Sequence, residues 1–291
     1  DSPADFALLK RTGLSELKRG IYYKTKWGNV RPGWHLECAA ISQKHLGTAY
    51  DIHISGADEI FPHCENMVAM NRASFGHSGA SYWMGAELIM VEGRKMSRSL
   101  NNAVTIEDLK KSGYSGRDIR FFLLGVNYRK PITYSPEALQ GAKNALRKID
   151  MFIFRLSALT DGSRDFPDVD QLIYNLHHDF ENALDDDLNI SGALAALFEF
   201  MGRINVPLAE NKFSRADAVK VVKALERINN VLGVMSFETQ DLHQEIAALV
   251  KKRQEARAAR LWDEADRIRE ELFLSGVEVL DGPQGTIWRF K

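Results

Sequence analysis

The apolar residues of this chain change their period near Ser135, and that change limits the folds open to it. Upstream, short apolar runs alternate with stretches of helical spacing. Trp34, Cys38 and Ile41 recur at helical intervals until Gly47. The run 50–54 is short, apolar and bounded by Ser55-Gly56, the pattern of a buried strand. Pro62 opens a helix that runs to Gly76, with the proline in its tolerated first turn. The run 88–91 reads as the next strand and Glu92-Gly93 as the start of a loop. Thr105, followed three residues on by Asp108, has the pattern of a capping box. Strand, helix and strand in succession predict an α/β sheet.

Downstream, the spacing becomes helical throughout. Ser135-Pro136-Glu137 supplies a cap, a proline at the first helical position and an acid in the first turn. Leu139, Ala142, Leu146, Ile149, Ile153 and Leu156 then form one stripe on a long helix. The stretches 170–184, 191–205 and 216–233 are also helical in pattern, set apart by polar linkers such as Asp161-Gly162-Ser163, which predicts a helical bundle. In the last part, Ile246, Leu249, Leu261, Ala265, Ile268 and Leu272 lie on helical faces that end at Gly276. Val277, Val279, Ile287 and Phe290 flank Gly282-Pro283-Gln284-Gly285, as in a β-hairpin. The expected division is 1–130, 131–238 and 239–291.

Composition excludes some classes of function. With 45% hydrophobic and 26% charged residues, the chain is neither disordered nor fibrous. No apolar run reaches the roughly 20 residues of a membrane helix, and the start has no signal-peptide pattern. A net charge of −1 means that any RNA contact must come from local basic patches. The two cysteines, Cys38 and Cys64, are too few for a disulfide framework and suit a reducing, cytoplasmic setting. There a thiol serves as buried filler, metal ligand or nucleophile.

The sharpest motif is Lys95-Met96-Ser97-Arg98-Ser99, which resembles the Lys-Met-Ser-Lys-Ser signature of class I aminoacyl-tRNA synthetases. A bare pentapeptide of this kind is more often a solvated basic loop. Its place between a predicted strand and a predicted helix favours the functional reading. Amino-acid activation is attack of a carboxylate on the α-phosphate of ATP with loss of pyrophosphate. Cations on a loop can meet the charge that builds on the phosphate oxygens.

Further segments narrow the family. Gly28-Asn29-Val30-Arg31-Pro32-Gly33-Trp34-His35-Leu36-Glu37-Cys38 is similar to the segment of cysteinyl-tRNA synthetases that carries a zinc cysteine. Asp51-Ile52-His53-Ile54-Ser55-Gly56-Ala57-Asp58 and Phe61-Pro62-His63-Cys64-Glu65-Asn66 resemble their next active-site segment. Tyr82-Trp83-Met84, Arg120-Phe121-Phe122-Leu123-Leu124 and Tyr128-Arg129-Lys130-Pro131 follow in the family's order. Asp281-Gly282-Pro283-Gln284-Gly285-Thr286-Ile287-Trp288-Arg289 resembles its C-terminus.

This resemblance implies the second half of a Rossmann-like catalytic domain, a helical bundle and a small α+β anticodon-binding domain. It implies a cysteine–tRNA ligase that uses ATP with magnesium, binds cysteine and tRNA, and works as a cytoplasmic monomer away from membranes. Lys95 and Arg98 take the catalytic, ATP-binding role, with His53 and Asp58 also at the nucleotide. Trp34, His35 and Asp58 take the amino-acid substrate. Arg257, Asp266 and Asp281 match the base readers of a patch that holds Lys251, Lys252, Arg253, Arg260 and Trp262.

The family's zinc, held by two cysteines, a histidine and a glutamate, selects cysteine over serine through a metal–sulfur bond. It would fall to Cys38 and His63, with the other cysteine expected upstream of this chain. The family's glutamate ligand is replaced by Met67, a poor zinc donor, and its second histidine by Cys64. Two buried polar residues without metal are the alternative at this place. The His-x-Gly-His signature is absent, and Gly76-His77-Ser78-Gly79 is not it, so the chain is expected to be incomplete and inactive alone. Two other functions compete: a synthetase-like paralogue that joins an amino acid to a small-molecule amine, and an RNA-binding module without catalysis.

Overall fold

Strands Tyr50–Gly56 and Ala80–Ala86 pair in parallel, with Tyr50 opposite Ala80 and Gly56 opposite Ala86. Parallel neighbours need a crossover, and the helix Glu65–Phe75 lies between them in sequence. It ends where Gly76 turns left-handed at φ 79, a conformation that favours glycine. This is the predicted α/β unit. The computed structural model describes residues 5–157, 159, 166–210, 212–237, 240–274, 277–282 and 285–290. It has two compact units, Asp1–Met90 with Tyr128–Ile132, and Val91–Asn127 with Thr133–Lys291.

The first unit opens with three antiparallel strands that sequence patterning did not resolve. Gly28–Pro32 is central, paired with Leu9–Arg11 on one side and Tyr23–Thr25 on the other. Gly33 then donates its N–H to the Leu8 carbonyl at 2.7 Å, and a Cβ on Gly33 would run into the Ala7 carbonyl. Only glycine lets the chain pass so close and turn directly into the helix Trp34–Leu46.

The helix marked by Trp34, Cys38 and Ile41 is present and ends at Gly47, as its spacing predicts, with Trp34 55% and Ile41 58% exposed. One expectation for this unit is corrected: the 50–54 strand is not buried, because Ile52, Ile54 and Tyr82 are exposed. Parallel strands bury their side chains when layers cover both faces, and among the described residues these two strands pair only with each other.

In the second unit Glu92 and Gly93 both take positive φ (50° and 74°), the signature of a tight type I′ turn, and lead into Arg94–Lys95. The capping box is present: Thr105 accepts from the Asp108 amide and starts the helix Ile106–Lys111. Ser115 and Asp118 make a second one ahead of the helix Gly116–Leu124. The bundle follows as Pro136–Ser157, Val169–Asp185, Ile190–Ala209 and Arg215–Leu232, close to the predicted spans.

The apolar stripe of Pro136–Ser157 is buried from Leu139 to Leu156, as its spacing predicts. It packs with Leu176, Phe180, Leu197 and Leu225 in one core. Each such side chain contributes about 1.5–3 kcal/mol on burial, so Leu197→Ala would cost about 2–5 kcal/mol. Two arginines tie Gly116–Leu124 to the bundle. Arg120 Nε donates to the Leu232 carbonyl at 2.6 Å, and Arg117 pairs with Asp150 at 2.6 Å.

Helices Gln240–Ala258 and Trp262–Leu274 precede a hairpin of Val277–Gly282 and Gly285–Phe290, in register Val277 to Phe290. Val250, Ile268, Leu272, Val277 and Val279 form a small core of their own. Leu261 belongs to no core, being 53% exposed between the two helices. The linker Asp161-Gly162-Ser163, Gly276 and the turn Pro283-Gln284 lie outside the described residues, as does the side chain of Ile246. Among the described residues, no helix is long and apolar enough to cross a membrane.

Candidate active site

The helix begun by Gly33 and the turn Ile60–Cys64 bring three rings together, and Phe6 from the start of the chain adds a fourth. The Nδ1 atoms of His35 and His63 are 2.7 Å apart. Trp34 stacks on His63 at 4.6 Å between centroids, and Phe6 meets His35 edge-on at 5.9 Å. His63 is buried, and that burial holds its pKa below the ordinary value, with the neighbouring His35 adding to the effect. Cys38 lies one turn along the same helix from Trp34. Its thiol is pushed up by burial and by Glu37 and Glu59, while a hydrogen bond with Trp34 works the other way. Raised thiols stay protonated at neutral pH.

His53, on the first parallel strand, belongs to a second ring group. Trp83 stacks on it at 4.4 Å from the opposite strand of the register, and its Nδ1 meets the Tyr50 hydroxyl at 3.1 Å. Burial lowers its pKa, and His63 lowers it further. Tyr50 and Trp83 were not singled out from sequence as site residues. Their signal lies in the strand period, which puts His53 and Trp83 side by side only once the register is known.

Asp58 follows the end of the first parallel strand. A Cβ on Gly56 would sit 2.6 Å from Asp58 Oδ1, so the carboxylate folds back over Gly56 and would have to shift if a side chain were placed there. Cys64 does not join His63. It projects the other way and lies 3.2 Å from Ser55 Oγ, as expected for neighbours about 100° apart on a helix. Ser55, Cys64, Glu65, Arg72, Trp83 and Met84 line a cavity of about 360 Å³, room for a molecule of amino-acid size.

The zinc residues can be tested by their chemistry. A structural or catalytic zinc takes three or four nitrogen, thiolate or carboxylate donors. Among the described residues no three His, Cys, Asp or Glu side chains gather so as to hold a metal. His63 Nδ1 is engaged by His35, and Met67 is fully buried with 0% exposure. The described residues therefore do not by themselves complete a zinc site.

Lys95 and Arg98 lie in the second unit, both exposed, just after the tight turn at Glu92-Gly93. Ser97 Oγ lies 3.1 Å from Ser99 Oγ, and its amide donates to Asn102 Oδ1 at 2.8 Å. Asn102 is a residue that motif reading passed over, because it stands outside the pentapeptide.

At the C-terminal end Arg257 is half-buried, Asp266 exposed, and Trp262 56% exposed beside them in sequence. Arg253 departs from the surface patch expected of it, being 3% exposed inside the last helical pair. The side chain of Asp281 lies outside the described residues.

Comparison with known proteins adds three matches in chain order. Residues 1–144 match the family described as tRNA synthetases class I (C) catalytic domain, 179–237 the DALR domain, and 239–289 the cysteinyl-tRNA ligase anticodon binding domain. A cysteine–tRNA ligase of Chlamydia muridarum is 37% identical over 294 residues, covering 98% of this chain and 62% of that protein. One from Oceanobacillus iheyensis is 39% identical over 295 residues, with 99% and 62% covered. The chain thus spans about three fifths of the length of these relatives. A crystal structure of the ternary complex of Agrobacterium radiobacter K84 agnB2 LeuRS-tRNA-LeuAMS has the same fold over 75% of this chain and 34% of its own, with a TM-score of 0.52 and 14% identity.

Proposed function

The chain belongs to the cysteinyl-tRNA synthetase family, and on that premise we propose that it serves ATP-dependent activation of cysteine and transfer of the cysteinyl group to tRNA. The observation that carries this reading is the Lys95-Met96-Ser97-Arg98-Ser99 segment, set after a tight turn inside the matched catalytic region. In the first step the cysteine carboxylate attacks the α-phosphate of magnesium-bound ATP and pyrophosphate leaves. Lys95 and Arg98 neutralise charge on the leaving phosphates. In the second, a terminal ribose hydroxyl of the tRNA attacks the activated carbonyl and AMP leaves.

Trp34 and His35, with His63, form the aromatic wall that receives the amino acid. Asp58 is the natural partner of a substrate ammonium or ribose hydroxyl, and His53 stands near the nucleotide in this assignment. Cys38 and His63 gather no third donor among the described residues, so no step of this reading is routed through zinc. Region 1–130 is assigned to catalysis, 131–238 to the bundle, and 239–291 to the anticodon. There Arg257, Asp266 and Asp281 read bases of an unpaired loop through edge hydrogen bonds. The reading is of a monomer acting in the cytoplasm.

The match over 239–289 favours tRNA as acceptor over a small-molecule amine, and the retained loop cations favour catalysis over RNA binding alone. Amino-acid-dependent ATP–pyrophosphate exchange and tRNA charging by the whole protein test the proposal. Cysteine is expected to exceed serine by about 10²-fold or more. Exchange driven by a different amino acid, or transfer to a free amine in place of tRNA, would overturn it.

A further inference from the structure

The Lys95 segment is closed on itself by a side chain that follows it. Asn102 Oδ1 accepts the Ser97 amide at 2.8 Å, and Asn102 Nδ2 donates to the Lys95 carbonyl at 3.0 Å. One side-chain amide thus grips the carbonyl of one residue and the N–H of the residue two further on. A residue on a neighbouring parallel strand grips a chain in the same way. The chain turns back to allow this at Asn101, which is left-handed at φ 53 and whose amide donates to the Arg98 carbonyl at 3.1 Å. Asparagine is among the few residues that adopt this conformation readily. Ser97 Oγ accepts the Leu100 amide at 3.3 Å and completes the closure.

We propose that Asn102 is the positioning residue of this loop: its two hydrogen bonds hold the backbone of Lys95 to Ser97 in the shape that presents the Lys95 and Arg98 cations to nucleotide phosphates. The inference rests on the nucleotide role assigned to the loop above. A loop this exposed has many solvated alternatives, and each of the two bonds adds about 1 kcal/mol against them. A cation held in place stabilises developing charge without reorganising during the reaction. The clamp is separable from the fold. The next helix is started by Thr105 and Asp108, which bond each other and not Asn102. The strand before the loop reverses at Glu92-Gly93 through its own turn.

The test combines a structural and a kinetic readout on Asn102→Ala and Asn102→Asp. Aspartate keeps an acceptor for the Ser97 amide and loses the donor to the Lys95 carbonyl. Hydrogen exchange of the Ser97 amide should speed by about five- to tenfold in Asn102→Ala, from the loss of about 1 kcal/mol, and by less in Asn102→Asp. In ATP–pyrophosphate exchange by the whole protein, kcat should fall about tenfold or more with the KM for ATP little changed, and the melting temperature should hold. Unchanged Ser97 exchange would show that the clamp does not form. Faster Ser97 exchange with unchanged kcat would show that it forms and positions nothing. Lys95→Ala separates the two readings. Undiminished activity in that variant would overturn the loop's nucleotide role, and Asn102's positioning role with it, while the Ser97 result would still stand by itself.

Discussion

The Nδ1 atoms of His35 and His63 lie 2.7 Å apart, so one proton is held between the two rings. Whichever ring accepts it through Nδ1 must carry its own proton on Nε2, and the tautomers are set together. Two imidazolium ions at this distance would repel each other, in keeping with the lowered pKa of His63. The pair therefore resists carrying two charges at once and forms a directional wall backed by Trp34.

Replacing His35 removes both the proton partner and a ring of that wall. His35→Ala should raise the KM for cysteine in pyrophosphate exchange about fivefold, the worth of one hydrogen bond of about 1 kcal/mol, with a smaller change in kcat. An unchanged KM would take His35 out of the amino-acid site.

Lys95→Ala should lower the activation rate by about 10²-fold, the usual cost of removing one donor to developing charge, and leave tRNA binding nearly unchanged. The two readouts separate because Lys95 and the Arg257 to Asp266 region lie far apart in sequence and are assigned to different steps in the proposed function. Exchange kinetics and a filter-binding titration with tRNA measure them. A matching loss of tRNA affinity would mean that the loop is a general basic surface.

Much of this was legible because it is local. The Ser135 cap, the Thr105 box and the stripe from Leu139 to Leu156 each depend on residues within a turn or two of one another, and the structure keeps them. What patterning missed is set by distant partners. The Gly28–Pro32 sheet centre depends on strands that are short and polar in pattern, so no alternation marks them. Trp34 and Ile41 have core spacing and remain exposed, since periodicity names a face and not what covers it. His53 meets Trp83 through strand register, and His35 meets His63 across 28 residues. Asn102 was overlooked because its work is on backbone atoms, which no side-chain motif records.

His177 in the bundle gives a pH prediction. Its Nδ1 is buried with no hydrogen-bond partner among the described residues, and burial and then Arg227 hold its pKa below 6.5, against Glu181. Below 6.5 the unfolded chain binds a proton that the folded bundle refuses. Stability from this group is thus complete above that value and is lost as pH falls through the folded pKa. The urea midpoint should drop between about pH 7.5 and about pH 5.5, and His177→Phe should reduce the drop. A pH dependence identical in the two proteins would assign it to other groups.

Met67 lies four residues after His63, in the first turn of the helix that follows it, and is fully buried. A carboxylate placed there enters a dry interior. Without a cation it has no charge partner, and an uncompensated buried charge costs about 3–5 kcal/mol. With zinc it would be a third donor beside Cys38 and His63, and metal binding to the folded state would offset that cost. Met67→Glu should therefore melt lower than the parent in the presence of a chelator. It should gain more from added zinc than the parent does, and a competition titration with a chromogenic chelator should show tighter zinc binding. Its selectivity for cysteine over serine should rise in step, because only the thiolate adds a metal–sulfur bond. If zinc shifts the two proteins equally, the metal binds elsewhere and this pocket selects its amino acid with rings and hydrogen bonds alone.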